Sequence, residues 1–209
     1  MAARLVRHLR ASDARVSPWK NGRGSTRELA LGPEHASFER GDFDWRISAA
    51  GVAEPGPFSV FHGFERVLVV TSGAGLVLEH GPHAPRARLR RMEPYRFSGD
   101  WPTGAELVGG PVEDFNVLAR RGRFEAEALA VELGARVLRE SLGEALVFAH
   151  VLARATARVS GEEAPFELAA GDSLAITGTL AHDEIEISGK HDSCGVILVR
   201  LSAARGGGG

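Results

Sequence analysis

The amino-acid sequence predicts an all-β protein built from two similar units. Short runs of alternating apolar and polar residues are separated by glycine and proline turns, and hardly any stretch has the 3.6-residue period of a helix. This pattern is typical of β-sandwiches and barrels. Because it begins again near Arg123, we expect one barrel over residues 1–122, a second over residues 123–205 and a flexible tail over residues 206–209.

The first unit is predicted to consist of strands joined by short turns. Pro18, Gly22 and Gly24 make the segment between the first two strands an irregular loop. The turn Gly73-Ala-Gly75 predicts a hairpin between the strands on either side of it. The predicted strands of this unit are residues 4–9, 25–31, 44–48, 67–70, 76–78, 95–97, 105–108 and 114–118.

The second unit repeats this organisation. Strands at residues 147–153 and 157–159 again predict a hairpin. The turn Gly171-Asp172 between two strands is similar to turns of cupin-type double-stranded barrels. The remaining predicted strands are residues 165–168, 174–177, 181–188 and 195–201.

Composition excludes several classes of protein. The formal net charge is −2 without a long basic block, which disfavours a nucleic-acid-binding surface. No apolar run is long enough for a membrane span, and the N-terminal residues lack the apolar core of a secretory signal. The single cysteine, Cys194, excludes an intramolecular disulfide. We expect a cytoplasmic protein that binds neither nucleic acid nor membrane. A homodimer is possible, and the sequence does not decide this point.

Residues 42–70 contain the strongest candidates for a ligand site. The two-residue period of a strand places Asp44, Arg46 and Ser48 on one face and Trp45 and Ile47 on the other. We expect the polar face to line a pocket and the apolar face to pack.

Two arginines in apolar sequence, Arg46 and Arg66, indicate a carboxylate ligand. A guanidinium offers paired donors to two carboxylate oxygens and keeps its charge when it is partly desolvated. Asp44 would either orient Arg46 toward the ligand or neutralise it. The structural alternative for Arg66 is a charge at the rim of the barrel, beside Glu65.

The remaining candidates would form walls and hydrogen bonds. Trp19, in the irregular loop, is predicted to lie flat against the ligand, because loops on rigid barrels often form binding rims. Phe61 would form a second wall, although an aromatic in an apolar strand is usually part of the packing. The predicted hydrogen-bonding residues are Asn21, Thr26 and Ser48, with Asp114 and Asn116 on one strand face as further candidates for the pocket floor.

The positions of a cupin metal motif are altered in this chain. Aligned on Gly56 and Gly73, the motif has His62 at its first histidine, but Phe64 replaces the second histidine and Arg66 replaces the glutamate. Since an arginine would repel a divalent cation and attract an anion, we expect no metal and no cofactor. His182, next to two acidic residues, is the alternative for a weak divalent site.

Five sequence blocks, in this order, resemble the HutD/Ves family over roughly residues 5–121. Arg23 stands where glycine is more usual in the family, and beyond Arg123 only the general β pattern is shared. The resemblance implies a bicupin, two cupin-type barrels in one chain, without the usual metal site. The blocks are residues 19–22 (WKNG), 25–28 (STRE), 43–48 (FDWRIS), 56–59 (GPFS) and 114–117 (DFNV).

The resemblance also implies an association with bacterial histidine utilisation. It favours binding of a pathway metabolite, such as formylglutamate or urocanate, in a regulatory role rather than catalysis. One alternative is a cupin-type isomerase or hydrolase acting through His62 or His182. Another is a scaffold whose partner is a protein.

Overall fold

A computed structural model describes residues 4–19, 24–190 and 193–204, and its regular elements are strands and one short 3₁₀ turn, Ala11–Asp13. No helix among the described residues is long and apolar enough to cross a membrane. The strands are β1 (Leu5–Leu9), β2 (Arg15–Pro18), β3 (Gly24–Gly32), β4 (Trp45–Val52), β5 (Gly56–Pro57), β6 (Phe64–Ser72), β7 (Leu76–Glu79), β8 (Ala87–Leu89), β9 (Tyr95–Ser98), β10 (Gly104–Leu107), β11 (Val112–Arg120), β12 (Phe124–Glu132), β13 (Val137–Ser141), β14 (Leu146–Val151), β15 (Ala155–Val159), β16 (Phe166–Leu168), β17 (Ser173–Thr177), β18 (Glu184–Gly189) and β19 (Gly195–Ala203).

The described chain divides into two compact units. The N-terminal unit contains Arg15–Ala126 with Ala204, and the C-terminal unit contains residues 4–14 with Glu127–Ala203. We expected residues 1–122 to form the first barrel, but β1 pairs with β17 and so belongs to the C-terminal unit. The predicted tail, residues 206–209, lies outside the described residues.

Two sheets form the N-terminal unit. One has six strands in the order β2-β3-β4-β11-β6-β9, and the other has four in the order β5-β10-β7-β8. Because successive side chains of a strand point to opposite faces, every second residue of β6 enters the core of this unit. That core contains Val52, Leu68, Val70, Leu76, Leu78, Leu89, Phe97, Ala105 and Val112.

Both predicted hairpins are wrong, although the strands exist. β6 lies in the six-stranded sheet and β7 in the four-stranded sheet, so the turn at Gly73 connects two sheets instead of two paired strands. Gly73 has a φ of +88°, and a Cβ there would lie 2.6 Å from the carbonyl oxygen of Pro111. The same correction applies to β14 and β15, which lie in different sheets of the C-terminal unit.

The C-terminal unit has a five-stranded sheet, β1-β17-β14-β19-β12, and a four-stranded sheet, β13-β18-β15-β16. Arg4 pairs with Asp183 at 2.6 Å, and His8 Nε2 lies 2.8 Å from Asp172 Oδ2. These contacts attach the first strand to the unit. Its buried core contains Leu133, Leu142, Val147, Ala149, Val151, Ala155, Ala157, Val159, Leu168, Leu174, Ile176, Ile185, Ile187, Cys194, Val196 and Leu198.

Candidate functional site

A cavity of about 580 Å³ lies in the N-terminal unit. It combines aromatic walls, two buried arginines and three acidic side chains. The residues lining it are Arg15, Ser17, Trp19, Thr26, Glu28, Phe38, Glu39, Arg46, Ser48, Ala50, Pro57, Phe58, Ser59, Phe61, Arg66, Asp114, Asn116 and Leu118.

Strand register arranges the polar lining in rows across the sheet, because directly paired residues of antiparallel strands share a face. In the first row, Leu118 of β11 pairs with Arg46 of β4 on one side and with Arg66 of β6 on the other. The Cα atoms of the two arginines are therefore two strand spacings, about 10 Å, apart. The second row is Glu28, Ser48 and Asn116, and the third is Thr26, Ala50 and Asp114.

Arg66 is a buried cation with an incomplete set of hydrogen bonds. Its side chain is on β6, and the residue is 6% exposed. Nη2 donates to Asn116 Oδ1 at 2.8 Å, and Nη1 donates to the carbonyl oxygen of Ser59 at 3.3 Å. Its Nε is buried and has no hydrogen-bond partner among the described residues. The described residues thus leave part of the hydrogen-bonding capacity of this guanidinium unfilled.

Aromatic rings surround the Arg66 guanidinium on several sides. The guanidinium carbon lies 4.9 Å from the ring centroid of Phe97, 5.3 Å from that of Phe58 and 5.5 Å from that of Phe61. Ring faces attract a cation and exclude water from it. Burial lowers the pKa of Arg66 to about 10, although the charge of Asp114 acts in the opposite direction. The side chain stays protonated at neutral pH.

Asn116 connects Arg66 to a buried carboxyl group. Its side-chain Nδ2 donates to Asp114 Oδ1, while its Oδ1 accepts from Arg66. Asp114 is 1% exposed, and burial raises its pKa to about 7, although the positive charge of Arg66 lowers it. Near neutral pH this carboxyl group therefore exists in both protonation states.

Arg46, the second buried arginine, already has an acidic partner. Its Nε donates to Glu28 Oε2 at 2.8 Å, and its guanidinium carbon lies 4.1 Å from the ring centroid of Phe38. The positive charge of Arg46 is thus compensated inside the cavity, whereas Arg66 contacts an amide, a carbonyl and aromatic rings. A further pair, Arg15 with Glu39 at 2.8 Å, is exposed.

Trp19 forms a wall that is fixed by a hydrogen bond. Its indole Nε1 donates to Thr26 Oγ1 at 2.8 Å, so the two predicted residues contact each other. Gly24 permits this arrangement, because a Cβ there would lie 2.2 Å from the carbonyl oxygen of Gly51 and 3.0 Å from the Trp19 ring.

Six of the eight predicted site residues line the cavity: Trp19, Thr26, Arg46, Ser48, Phe61 and Arg66. Asp44 does not, because it precedes the first residue of β4 and contacts Arg120 Nε at 3.1 Å. The acid beside Arg46 is therefore Glu28, and not Asp44 as we had predicted. Asn21 lies outside the described residues.

Sequence reasoning missed Glu28, Phe38 and Phe58. The alternation that places Thr26 inward also places Glu28 inward, so this signal was available in the sequence. Phe38 and Phe58 lie outside regular strands, where no period predicts the direction of a side chain.

The histidines that we weighed as metal ligands do not line the cavity. His62 has an 85% exposed side chain, and its Nδ1 is 3.5 Å from Asp100 Oδ1. His182 is exposed, and the neighbouring Asp183 is paired with Arg4. Within residues 4–19, 24–190 and 193–204, no group of three or more His, Cys, Asp or Glu side chains could hold a metal ion.

The chain is similar to one protein family and to several curated proteins. The model of the HutD family matches residues 11–194. Protein Ves of Citrobacter koseri is 39% identical over 113 residues, which is 54% of this chain and 56% of that protein. An uncharacterized 21.2 kDa protein in the hutC 3′ region of Pseudomonas putida is 37% identical over 121 residues, or 56% of this chain and 60% of that protein. The match thus spans less than two thirds of these curated relatives.

Solved structures match over nearly the whole chain. A conserved protein of unknown function from Pseudomonas aeruginosa has a TM-score of 0.83 at 30% identity, covering 95% of this chain and 99% of that one. HutD from Pseudomonas fluorescens has a TM-score of 0.77 at 31% identity, covering 96% and 100%. A bacterial pirin from Escherichia coli, at 12% identity and a TM-score of 0.63 over 94% and 98%, shares the fold alone. The predicted all-β, cupin-type fold is confirmed.

Proposed function

Because the chain belongs to the HutD family and its cavity contains a buried arginine whose Nε has no hydrogen-bond partner among the described residues, we propose that it binds a small carboxylated metabolite. The site is the cavity of the N-terminal unit. The ligand is an intermediate of histidine degradation, such as formylglutamate or urocanate, and binding serves regulation. The position of one relative in the hutC 3′ region of its genome supports this choice.

The observation that carries the proposal is that Arg66 Nε is buried without a hydrogen-bond partner among the described residues. An ion that is buried without full hydrogen bonding costs free energy, and a carboxylate supplies both the missing acceptor and the opposite charge. Glu28 already provides these for Arg46. We therefore assign the ligand carboxylate to Arg66, and Arg46 to a supporting position about 10 Å away.

The size and lining of the cavity support a small molecule. A volume of about 580 Å³ is within the range of ligand pockets, roughly 300–1,000 Å³. Trp19, Phe58 and Phe61 provide flat apolar surfaces, while Ser48 and Asn116 are polar groups of the lining. A short acid with a planar or acyl body fits this combination of groups.

Catalysis through His62 or His182 is not favoured by the geometry. Both side chains are exposed and neither lines the cavity. A cupin-type isomerase or hydrolase acting through them would need its substrate at a different place from the buried arginines.

Thermal unfolding with a panel of acids tests the proposal. Chelator-treated protein is heated with urocanate, formylglutamate, histidine, glutamate or pyroglutamate, in parallel with Arg66→Met. A ligand at a hundred times its Kd adds about 2.7 kcal/mol, which raises the Tm of a chain of this size by roughly 5–11 °C. We expect such a shift for at least one acid, and its loss in Arg66→Met.

Arg86→Met is the matched control, because Arg86 is an exposed arginine that pairs with Glu79 and Glu106 on the surface. Arg86→Met should keep the full ligand-induced rise in Tm. No shift with any acid, or an equal shift in Arg66→Met, would contradict the proposed function.

A further inference from the structure

Asp114 and Arg66 share one cavity and one hydrogen-bond chain. Asn116 contacts both, and its amide is oriented by the two contacts, with the oxygen toward the guanidinium and the nitrogen toward the carboxyl group. Asp114 has a second carboxyl oxygen in addition to the one that accepts from Asn116. A carboxylate bound on Arg66 would therefore lie close to a second, buried carboxyl group.

Within the part of the chain that the structure describes, few other charges act on Asp114. Its pKa is raised by burial and lowered by Arg66, and these are the causes that move it. The charged lining groups come from the strands and segment around it: Arg15 on β2, Glu28 on β3, Glu39 between β3 and β4, Arg46 on β4 and Arg66 on β6. Since Arg46 is paired with Glu28 and Arg15 with Glu39, Arg66 is, among the described residues, the cation that supports ionised Asp114.

We propose that the carboxylate ligand and one proton bind to this cavity together, with the anion on Arg66 and the proton on Asp114. The inference rests on the proposed function. One guanidinium in a water-poor site cannot compensate two adjacent negative charges, so docking of the anion removes the support of ionised Asp114. The proton comes from solvent, no covalent bond to carbon changes, and the neutral acid gains an O–H donor.

The coupling has a measurable pH dependence. With a pKa of about 7 in the free protein, Asp114 is mostly protonated at pH 6 and mostly ionised at pH 8. If the anion binds only the protonated form, the apparent Kd rises about tenfold from pH 6 to pH 8. Proton uptake per bound ligand rises over the same interval from about 0.1 to about 0.9.

Isothermal titration calorimetry with N-formylglutamate measures both quantities. The carboxyl groups of this acid titrate below about pH 5, so they add no protons of their own between pH 6 and pH 8. Titrations at each pH in two amine buffers whose ionisation enthalpies differ give the number of protons taken up. We expect a tenfold weaker Kd at pH 8, with nearly one proton taken up.

Two variants identify the group that takes up the proton. Asp114→Asn keeps the shape of the side chain and its acceptor for Asn116, so it should bind about equally at both pH values and about tenfold more tightly than the wild type at pH 8. Glu113→Gln, at the neighbouring exposed position, should keep the wild-type pH dependence.

The outcomes distinguish this inference from the proposed function. Binding with the same Kd at pH 6 and pH 8 and no proton uptake would overturn the coupling while leaving carboxylate binding intact. A pH dependence that survives in Asp114→Asn would overturn the assignment to Asp114. Absence of binding heat at every pH would overturn the coupling in this form, and the thermal panel then decides separately whether the cavity holds any acid.

Discussion

Arg66 shows how a cation is kept inside a protein although none of the described acidic side chains forms an ion pair with its guanidinium. Aromatic faces, a main-chain carbonyl and the Asn116 amide share the charge, and the nearest buried acid contacts the amide. Arginine suits this position better than lysine, because a delocalised guanidinium loses less hydration and presents planar donors. Burial lowers its pKa to about 10, which still leaves it charged at neutral pH.

Asp114 should make stability depend on pH in an uncommon direction. Burial raises its pKa from 3.8 to about 7, so between these values the folded protein holds a proton that the unfolded chain has released. The free energy of unfolding contributed by this residue therefore falls as the pH rises from about 4 to about 7. Most buried carboxylates that accept strong hydrogen bonds have the opposite effect.

Asp114→Asn tests this directly. The variant cannot ionise, so its stability relative to the wild type should increase between pH 5 and pH 8, by an amount on the order of 2–4 kcal/mol. Urea unfolding at both pH values measures the difference, with Glu113→Gln as the control. A difference between wild type and Asp114→Asn that stays constant with pH would contradict the raised pKa.

At the level of single residues, the sequence identified the two arginines of the cavity but did not predict which side chains contact them. Arg46 and Arg66 were recognisable as charges in apolar strands, and both line the cavity. Asp44 was placed on the same face by extending the strand one residue too far, since β4 starts at Trp45. Glu28 was not connected with Arg46, because strand order and register decide which acid meets which base.

Three central strands, β4, β11 and β6, hold the polar rows of the site. They pair over almost their whole length, so the positions of Arg46, Ser48, Asn116 and Arg66 are fixed by the backbone ladder. Sites built on strands are held more firmly than sites built on loops. The irregular segment with Phe58 and Phe61 completes the wall, and its position depends on contacts with another loop.

Gly99 fixes the position of the irregular segment that contains Phe58 and Phe61. Its carbonyl accepts from Phe61 N at 2.8 Å, its N–H donates to Phe64 O at 2.8 Å, and a Cβ would lie 2.6 Å from the carbonyl oxygen of Phe61. Gly99→Ala should displace Phe61, lower the free energy of unfolding by about 1–3 kcal/mol and weaken ligand binding.

Gly104→Ala is the matched control, since a Cβ at that position of β10 meets nothing within 4 Å. Chemical unfolding and calorimetric titration of both variants provide the comparison. If Gly99→Ala retained wild-type stability and affinity, the segment would not depend on this close approach.

At the element scale, strand positions were easier to predict than strand partners. Alternation identified β6, β7, β14 and β15, but adjacent strands in sequence were assumed to pair. The apolar residues of β6 and β7 face a common core from two sheets. Two strands have the same alternating pattern whether they pair in one sheet or face each other from two sheets. The pattern indicates which face of a strand is buried, and it carries no information about hydrogen-bonding partners.

At the scale of the whole molecule, β1 belongs with residues far away in the sequence. It pairs antiparallel with β17, so that Leu5 lies opposite Thr177 and Leu9 lies opposite Ser173. Composition and turn spacing predicted two units with a boundary at residue 122, whereas the described chain changes from one unit to the other at Glu127. They could not assign the first strand, because any half-polar strand fits the edge of any sheet. Each unit has its own apolar core, as the repeated pattern indicated.

The proposed binding depends most on a single contact, the one between a ligand carboxylate and the Nε–H side of the Arg66 guanidinium. A ¹H–¹⁵N spectrum of the arginine side chains, with the Arg66 signal assigned by its loss in Arg66→Met, observes this N–H group directly. On titration with the acid that gives the largest thermal shift, the Arg66 Nε–H proton should move downfield in step with saturation, as expected for a new charge-assisted hydrogen bond. An Arg66 signal that stays unchanged while the protein becomes saturated would contradict binding of the carboxylate at Arg66.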